Sequence, residues 1–524
     1  MFRGFIVIYS LIFITLLSPI TFASDFNIDK RLLPNINFPW LLIKHDKENS
    51  MSSDTDIPRI PEVIYQKDVS ANLDVDLATP LIYKDKIILA DHEGIYVLNE
   101  ETGELIWGAE LFFDDLHNRK VKDPQPLTRW KPYGLWEFVQ GYGIGKNLYV
   151  ATTNGNNGSL LAFNIKDGNL LWRAKIPSSL TSNIIIGQGK VFLGTAHTDG
   201  KVYCYSEEGK LLWSTYIGGN IRGLTIGGSL IFVSSESLKR LYALNINDGK
   251  IRWIYEAENV VTSPVYRRGL VIFGDISGNL IVLSEEGKLL WKKPIGVQSS
   301  VDGYTYIAIS KHSIYVCSFL DGKNYLVSLN LSGNELARVE FPKEQSLGFP
   351  IATRNIIIVP TKSKDSSKIY LFWKGTSKIY EIEIKSTNVW LLKVSVAYGN
   401  LYIVSQDKDG KYKLLKLGDK EKPVITSITT SEKDNYLEVK IEAYDRQSGL
   451  YKAILSYQID NSGTVYTEMY IGRRYVIEPI GGYGLTKEIY IGRIPYKKDT
   501  SIRYAIVVID NVGNYLISSD YNVI

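Results

Sequence analysis

Short runs in which apolar and polar residues alternate, separated by turn residues, cover most of the chain. That alternation has the period of a strand that buries one side, so it predicts strands and not helices. It is most regular over residues 199–291. There VYCYSEEGKLLW (202–213) returns as LYALNINDGKIRW (241–253) and as LIVLSEEGKLLW (280–291). A strand runs into a turn, and Gly209, Gly249 and Gly287 each stand four residues before a Trp. The period is about forty residues, which signals a solenoid, an array or a propeller.

Two further copies, TGELIW ending at Trp107 and DGNLLW ending at Trp172, keep the same spacing with Gly103 and Gly168. Ahead of each turn lie a strand, a short turn and a second strand, as in GLVIFGDISGNLIVLS (269–284). About four short strands per repeat describe a propeller blade. Three weaker copies follow. YLVSLNLSGNELA (325–337) keeps Gly333 but carries Ala337 in place of Trp, and IYLFWKGTSKIY (369–380) ends in Tyr380 with one extra residue. The last, LYIVSQDKDGKYKLLKL (401–417), stops after its third strand, whereas PEVIYQKDV (61–69) is a strand with no blade before it. Pairing these two ends would close a ring of eight blades and leave no sheet edge over.

Beyond Lys422-Pro423 the period is lost. Strands are predicted at 436–445, 450–460, 486–494 and 501–510, which suits a two-sheet sandwich without a cysteine pair, of the immunoglobulin or fibronectin-III kind. The expected fold is therefore all-β: an eight-bladed β-propeller over residues 60–422 followed by a β-sandwich over 423–524. Residues 1–23 read as a signal peptide, with Arg3, an apolar stretch at 5–17, Pro19 and a cleavage site near Ala23. An uncleaved anchor over 4–22 is the alternative, and a lipoprotein anchor is not expected because no Cys follows. The mature protein is expected to be extracytoplasmic: secreted, periplasmic or at the cell surface. Residues 24–59 read as a linker or loosely docked arm, polar over 44–56. Their apolar interruption at 38–43 is expected to pack on the next domain, a docking peptide being the alternative.

Charge narrows the function. With 60 basic and 56 acidic residues mixed along 524, the net charge of +4 offers no basic stripe for nucleic acid. Cys204 and Cys317 fall in different repeats on strand-like segments, so buried free thiols are expected and not a disulfide. Abundant Ile, Lys, Glu and Tyr with little Gln, Met, Cys or His hint at a high-temperature host.

The phrase of a strand followed by Thr/Asp/Glu-Gly-x-x-x-Trp resembles the quinoprotein-type (PQQ-like) propeller family over roughly residues 60–420. That family includes pyrroloquinoline-quinone alcohol dehydrogenases and non-enzymatic outer-membrane assembly-factor propellers, and the chain looks closer to the latter. The resemblance implies that Trp107, Trp172, Trp213, Trp253 and Trp291 are structural, each docking one blade on the next. The dehydrogenases also stack their quinone on a disulfide of adjacent cysteines beside a calcium ion. Neither a Cys-Cys pair nor a matching carboxylate set is found here, so no cofactor and no catalytic residue are expected.

Other constellations are thin. His45, His92, His117, His197 and His312 have no zinc spacing. DKDG (407–410) lacks the later ligand of a calcium loop, and DRQSGL (445–450) and DNVGN (510–514) are explained by Asx-turns at one end of the sandwich without a metal. One connection breaks the rhythm: about twenty-five residues are added between Trp107 and Trp172, mostly at 114–137. Phe112, Phe113, Arg129, Trp130, Tyr133 and Trp136 in and beside it are the expected partner-binding residues, capping of the central channel being the alternative. The insert is expected to share its face with the tips at 91–94, 154–159, 196–201 and 407–410. Asn157 and Asn330 head glycosylation triplets. The function expected is a non-catalytic binding or scaffold protein of the envelope or cell surface, engaging a protein or a glycan. The alternatives are a PQQ-dependent dehydrogenase and an envelope glycan-binding protein.

Overall fold

The computed structural model describes residues 39–523 apart from 43–44, 70–78, 91–93, 112–118, 122–137, 299–305, 344, 364–365, 375–378, 385–391, 407–410, 461, 481–482, 496, 498–499 and 519–520. The expected signal segment lies outside them. Every regular element described is a β-strand, and the strands form ten antiparallel sheets among the described residues. Eight of these lie within residues 62–418 and follow one another along the chain as antiparallel meanders, six of four strands and two of five. We number them sheets 1 to 8: residues 81–121, 138–176, 185–216, 221–256, 265–294, 307–341, 346–384 and 393–418, the last completed by Glu62–Val69.

Sheet 4 shows why the repeat reads as it does. Its middle strands, Leu230–Ser235 and Arg240–Asn245, are buried almost throughout because neighbouring sheets cover both faces, so they are nearly continuous apolar runs. Its outer strand, Ile251–Glu256, alternates exposed and half-buried residues at the rim. In sheets 1 to 5 the indole N–H of Trp107, Trp172, Trp213, Trp253 and Trp291 donates to a carbonyl of the next sheet, that of Ile165, Glu207, Ile246, Glu285 and Leu331 respectively, at 2.8–3.2 Å. Each ring lies against the next sheet's turn glycine: a Cβ on Gly168, Gly209, Gly249 or Gly287 would stand 2.6–2.7 Å from it. A register shift just before each Trp tips the ring towards that neighbour.

The two ends of the ring meet as the strand count requires. Glu62–Val69 pairs antiparallel with Tyr412–Gly418, from Glu62 opposite Gly418 to Val69 opposite Tyr412. This strand repeats the register shift, between Val63 and Tyr65, and Tyr65 then does what the tryptophans do elsewhere. Its hydroxyl donates to Glu100 O at 3.0 Å, and its ring faces Gly103. Lys416 and Glu100 add an ion pair of 2.5 Å across the same seam. Cys204 and Cys317 are buried free thiols.

The remaining two sheets belong to residues 424–523. One orders Val424–Lys433, Tyr436–Tyr444, Tyr483–Pro495 and Tyr470–Ile480; the other centres on Leu450–Ile459 and Ile502–Asp510. Leu437, Val439 and Ile441 of the first share one core with Leu455, Ile506 and Val508 of the second.

The arm before the ring is docked, and not loosely. Its bonds visit seven of the eight ring sheets in order. Trp40 exchanges backbone hydrogen bonds with Ile82 of sheet 1, and Leu41 O accepts from Ile144 N of sheet 2. The carbonyls of Lys47, Glu48, Ser50 and Met51 accept from Ile226, Tyr266, Ile309 and Ala352 of sheets 4 to 7, each at 2.9 Å. The Thr55 hydroxyl accepts from Gly399 N beside sheet 8. Those donors sit at or just past the first strand of each sheet, whose inward N–H groups would otherwise face the channel. Trp40 and Leu42 of the apolar interruption are buried, as expected, and Met51 and Ile57 further along the strap are buried too. Asn49, also buried, donates to Leu224 O at 2.8 Å and Pro264 O at 3.2 Å. The strap bends at some cost, with His45, Asn49 and Met51 at positive φ.

Candidate functional site

Each sheet has two ends. The turn after the first strand and the Gly-x-x-x-Trp turn share one end, as the bond from Ile246 N to Ser229 O shows in sheet 4. The turn between the middle strands lies at the other, beside the end of the outer strand. The strap therefore occupies the Gly-turn face, and the C-terminal sheets join on the same side: Arg59 N donates to Gln447 O, and a Cβ on Gly399 would touch Val512. Among the described residues, neither covers the opposite, tip face.

On that tip face several large apolar side chains stand out of the surface. Tyr216 is 67% exposed, Ile276 66%, Phe319 53%, Phe138 45% and Leu238 37%. Tyr216 and Leu238 are neighbours, both close to Gly218. Around them the tips are polar and held by side-chain bonds: Tyr203 Oη donates to Asp199 Oδ2 at 2.8 Å, and Asn220 Oδ1 accepts from His197 N at 2.9 Å. None of these apolar residues was singled out from the sequence, because each falls in or beside a turn where one apolar residue breaks no period.

Phe112, Phe113, Arg129, Trp130, Tyr133 and Trp136 lie outside the described residues, as do His92, His117 and the 407–410 tip. Of the insert, Arg119–Val121 is described. It adds a fifth strand to sheet 1, pairing Val121 with Gly108 and Arg119 with Glu110, so the insert covers part of that sheet's outer edge. Glu110 lies opposite Gly94 at the tip end of the sheet.

A cavity of about 800 Å³ opens between sheets 6 and 7 on the strap face. Ala337 lines it, at the position that carries Trp in sheets 1 to 5, and the missing ring leaves the wedge unfilled. Leu326, Val339, Ile357 and Phe372 give it an apolar wall; Lys311, His312, Arg354 and Lys374 outnumber Asp54 among the charged and titratable groups. Burial lowers the Lys374 ammonium to about 8, against the pull of Asp56 and Asp54, while its Nζ donates to Thr353 O at 2.5 Å. The signal in the sequence was Ala337 itself, read there as a weak repeat.

The two C-terminal loops are Asx-turns, as expected: Asp445 Oδ1 accepts from three backbone amides and Asp510 Oδ1 from two. Asp419, not singled out from the sequence, joins them. Burial first and then Asp445 push the Asp510 carboxyl up to about 8 and that of Asp419 to about 6.

Comparison with known proteins agrees with this architecture. A family model described as outer membrane protein assembly factor BamB matches residues 156–383. An outer membrane protein assembly factor BamB of Nitrosomonas eutropha is 30% identical over 168 residues, 30% of this chain and 39% of that one. A tetrathionate hydrolase of Acidithiobacillus ferrooxidans is 23% identical over 249 residues, 45% of this chain and 46% of that one. The chain thus spans about half or less of the length of these curated relatives. Among solved structures, a europium-containing methanol dehydrogenase superposes with a TM-score of 0.50 at 11% identity, covering 73% of this chain and 98% of that one, a likeness of fold alone. The repeat region is similar in sequence and in its all-β propeller fold to the PQQ-like, BamB-type family.

Proposed function

We propose that the chain is an extracytoplasmic, non-catalytic scaffold: an eight-bladed propeller with an immunoglobulin- or fibronectin-III-like sandwich at 423–524, binding a protein partner through its tip face. The observation that carries this reading is the asymmetry of the ring. One face is taken up by the strap and the C-terminal sheets, while the other presents Tyr216, Ile276, Phe319, Phe138 and Leu238 to solvent. Exposed apolar groups among polar tips mark an interaction surface. The similarity to proteins named for outer membrane protein assembly supports a protein partner and an extracytoplasmic place. Phe112, Phe113, Arg129, Trp130, Tyr133 and Trp136 of the insert would extend the same surface.

Crosslinking in intact cells tests it. A partner captured by the wild type should be lost, at unchanged melting temperature, in Ile276→Asp/Phe319→Asp and weakened in Trp130→Ala. Undiminished capture of that partner by both variants would overturn the reading. The alternative is enzymatic, carried by the tetrathionate hydrolase relative. Steady turnover of tetrathionate, or of an alcohol with added quinone, would establish it.

A second reading is favoured by the cavity beside Ala337. Its apolar wall and excess of cationic groups suit a small ligand with an apolar body and an anionic head. Ala337→Trp should fill the wedge and abolish binding of a fluorescent anionic amphiphile such as anilinonaphthalene sulfonate, leaving the melt unchanged or higher. Equal binding by wild type and variant would remove the cavity as the site.

A further inference from the structure

Three aspartates distant in sequence meet where the ring joins the C-terminal sheets. Asp419 follows the last ring strand, Tyr412–Gly418; Asp445 follows Tyr436–Tyr444; Asp510 ends Ile502–Asp510. One carboxylate oxygen from each lies within 4.8 Å of the others. Asp445 is 4% exposed and Asp510 0%.

The two oxygens of each carboxylate have different surroundings. Asp445 Oδ1 accepts from the amides of Gln447, Ser448 and Gly449 at 2.7–3.1 Å and from the Ser448 hydroxyl at 3.1 Å. Asp510 Oδ1 accepts from Val512 N at 2.9 Å and Asn514 N at 2.8 Å, and Asp419 Oδ1 from Glu421 N at 2.9 Å. Oδ2 of all three is buried and has no hydrogen-bond partner. Loop geometry explains every Oδ1 and no Oδ2.

A buried carboxylate oxygen without a partner is costly, and three repelling one another are more so. No ion pair reaches any of the three among the described residues. Arg59, which feels Asp445 among other charges, has its guanidinium over the Trp373 ring at 5.0 Å and forms no ion pair with the three. What the cluster lacks is a compact cation with several vacant coordination positions.

We propose that Asp419, Asp445 and Asp510 form a calcium-type divalent-cation site that fastens the C-terminal sheets to the ring. All three donors are hard carboxylate oxygens, with no imidazole or thiolate to favour zinc or copper. Calcium–oxygen distances of about 2.3–2.6 Å let one ion span a set this wide, whereas magnesium at about 2.0–2.1 Å draws its ligands closer. The location supplies the role. Asp419 belongs to the connection leaving the ring, the other two to opposite sheets of the C-terminal unit, so one ion ties three segments that otherwise repel.

The test uses the full chain stripped with EGTA. Millimolar calcium should raise its melting temperature by ~5 °C, and magnesium by much less. Asp445→Asn and Asp510→Asn keep the Oδ1 acceptor that holds each turn. Both should lose the calcium shift while melting in EGTA at or above the stripped wild type, since an amide in place of either carboxyl can donate to a neighbouring unpartnered Oδ2. Absence of a calcium shift in the wild type, its retention in both variants, or an equal shift with magnesium would overturn the assignment. Calcium should also slow protease cleavage between residues 419 and 423; an unchanged rate would sink the fastening role.

Discussion

At the scale of single residues, the ring is an interlock of one large ring and one bare backbone repeated from sheet to sheet. Gly249 has φ of +69°, and a Cβ there would stand 2.5 Å from Thr215 Oγ1 and 2.6 Å from the Trp213 ring. Gly269 has φ of +81° and nothing within 4 Å. The pair separates two costs. Gly269→Ala should lose about 1 kcal/mol from the backbone conformation alone, and Gly249→Ala roughly 2–4 kcal/mol because the indole must also move. Urea midpoints of the two variants measure the difference; equal losses would mean that the ring does not depend on close contact between Trp and Gly. The tryptophans and glycines were legible in the sequence because they recur at fixed spacing. Tyr65 was not, since it fills the same role only once and in a strand that precedes the first repeat.

At the scale of elements, closure rests on a strand contributed from the other end of the repeat region. The pairing of Glu62–Val69 with Tyr412–Gly418 was legible from a count of strands missing at one end and spare at the other. Removing residues 62–69 would bare a full edge of sheet 8 and take away Tyr65, leaving Glu100 with less cover at the seam. The melting temperature should fall by more than ~10 °C, with aggregation through the free edge. Scanning calorimetry with light scattering checks this, and an unchanged melt would require another closure. Other elements escaped the sequence. Val424–Lys433 is largely exposed and polar, and Tyr470–Ile480 carries Gly472, two arginines and Pro479, so neither shows the alternation of a half-buried strand.

At the scale of the whole molecule, the two faces of the ring differ because a segment that reads as a linker lies across one of them. Residues 44–56 are polar, and the strap is held mainly by its carbonyls and by Asn49, Thr55 and Asp56, so its docking leaves no hydrophobic period to read. The same blindness covers the aspartate cluster. Asp445 and Asp510 were visible as turn residues, but only the fold brings Asp419 to them, and no spacing rule connects three loops 26 and 65 residues apart. The cavity between sheets 6 and 7 was written in the sequence as a loss, Ala337 for Trp, and becomes a feature only when the neighbouring sheet is in place.

The order of the strap's contacts has a mechanical consequence. Because residues 40–55 meet the sheets in sequence, tension on the N-terminal end would load the bonds at Ile82 first, then Ile144, and so on around the ring, one or two at a time. Peeling of this kind yields at low force and in small steps. The closing strand just behind it, Glu62–Val69, is joined to sheet 8 along its whole length by a ladder of backbone bonds. A pull from that end would therefore unwind the strap as a slack reserve before any load reached the seam that keeps the ring shut.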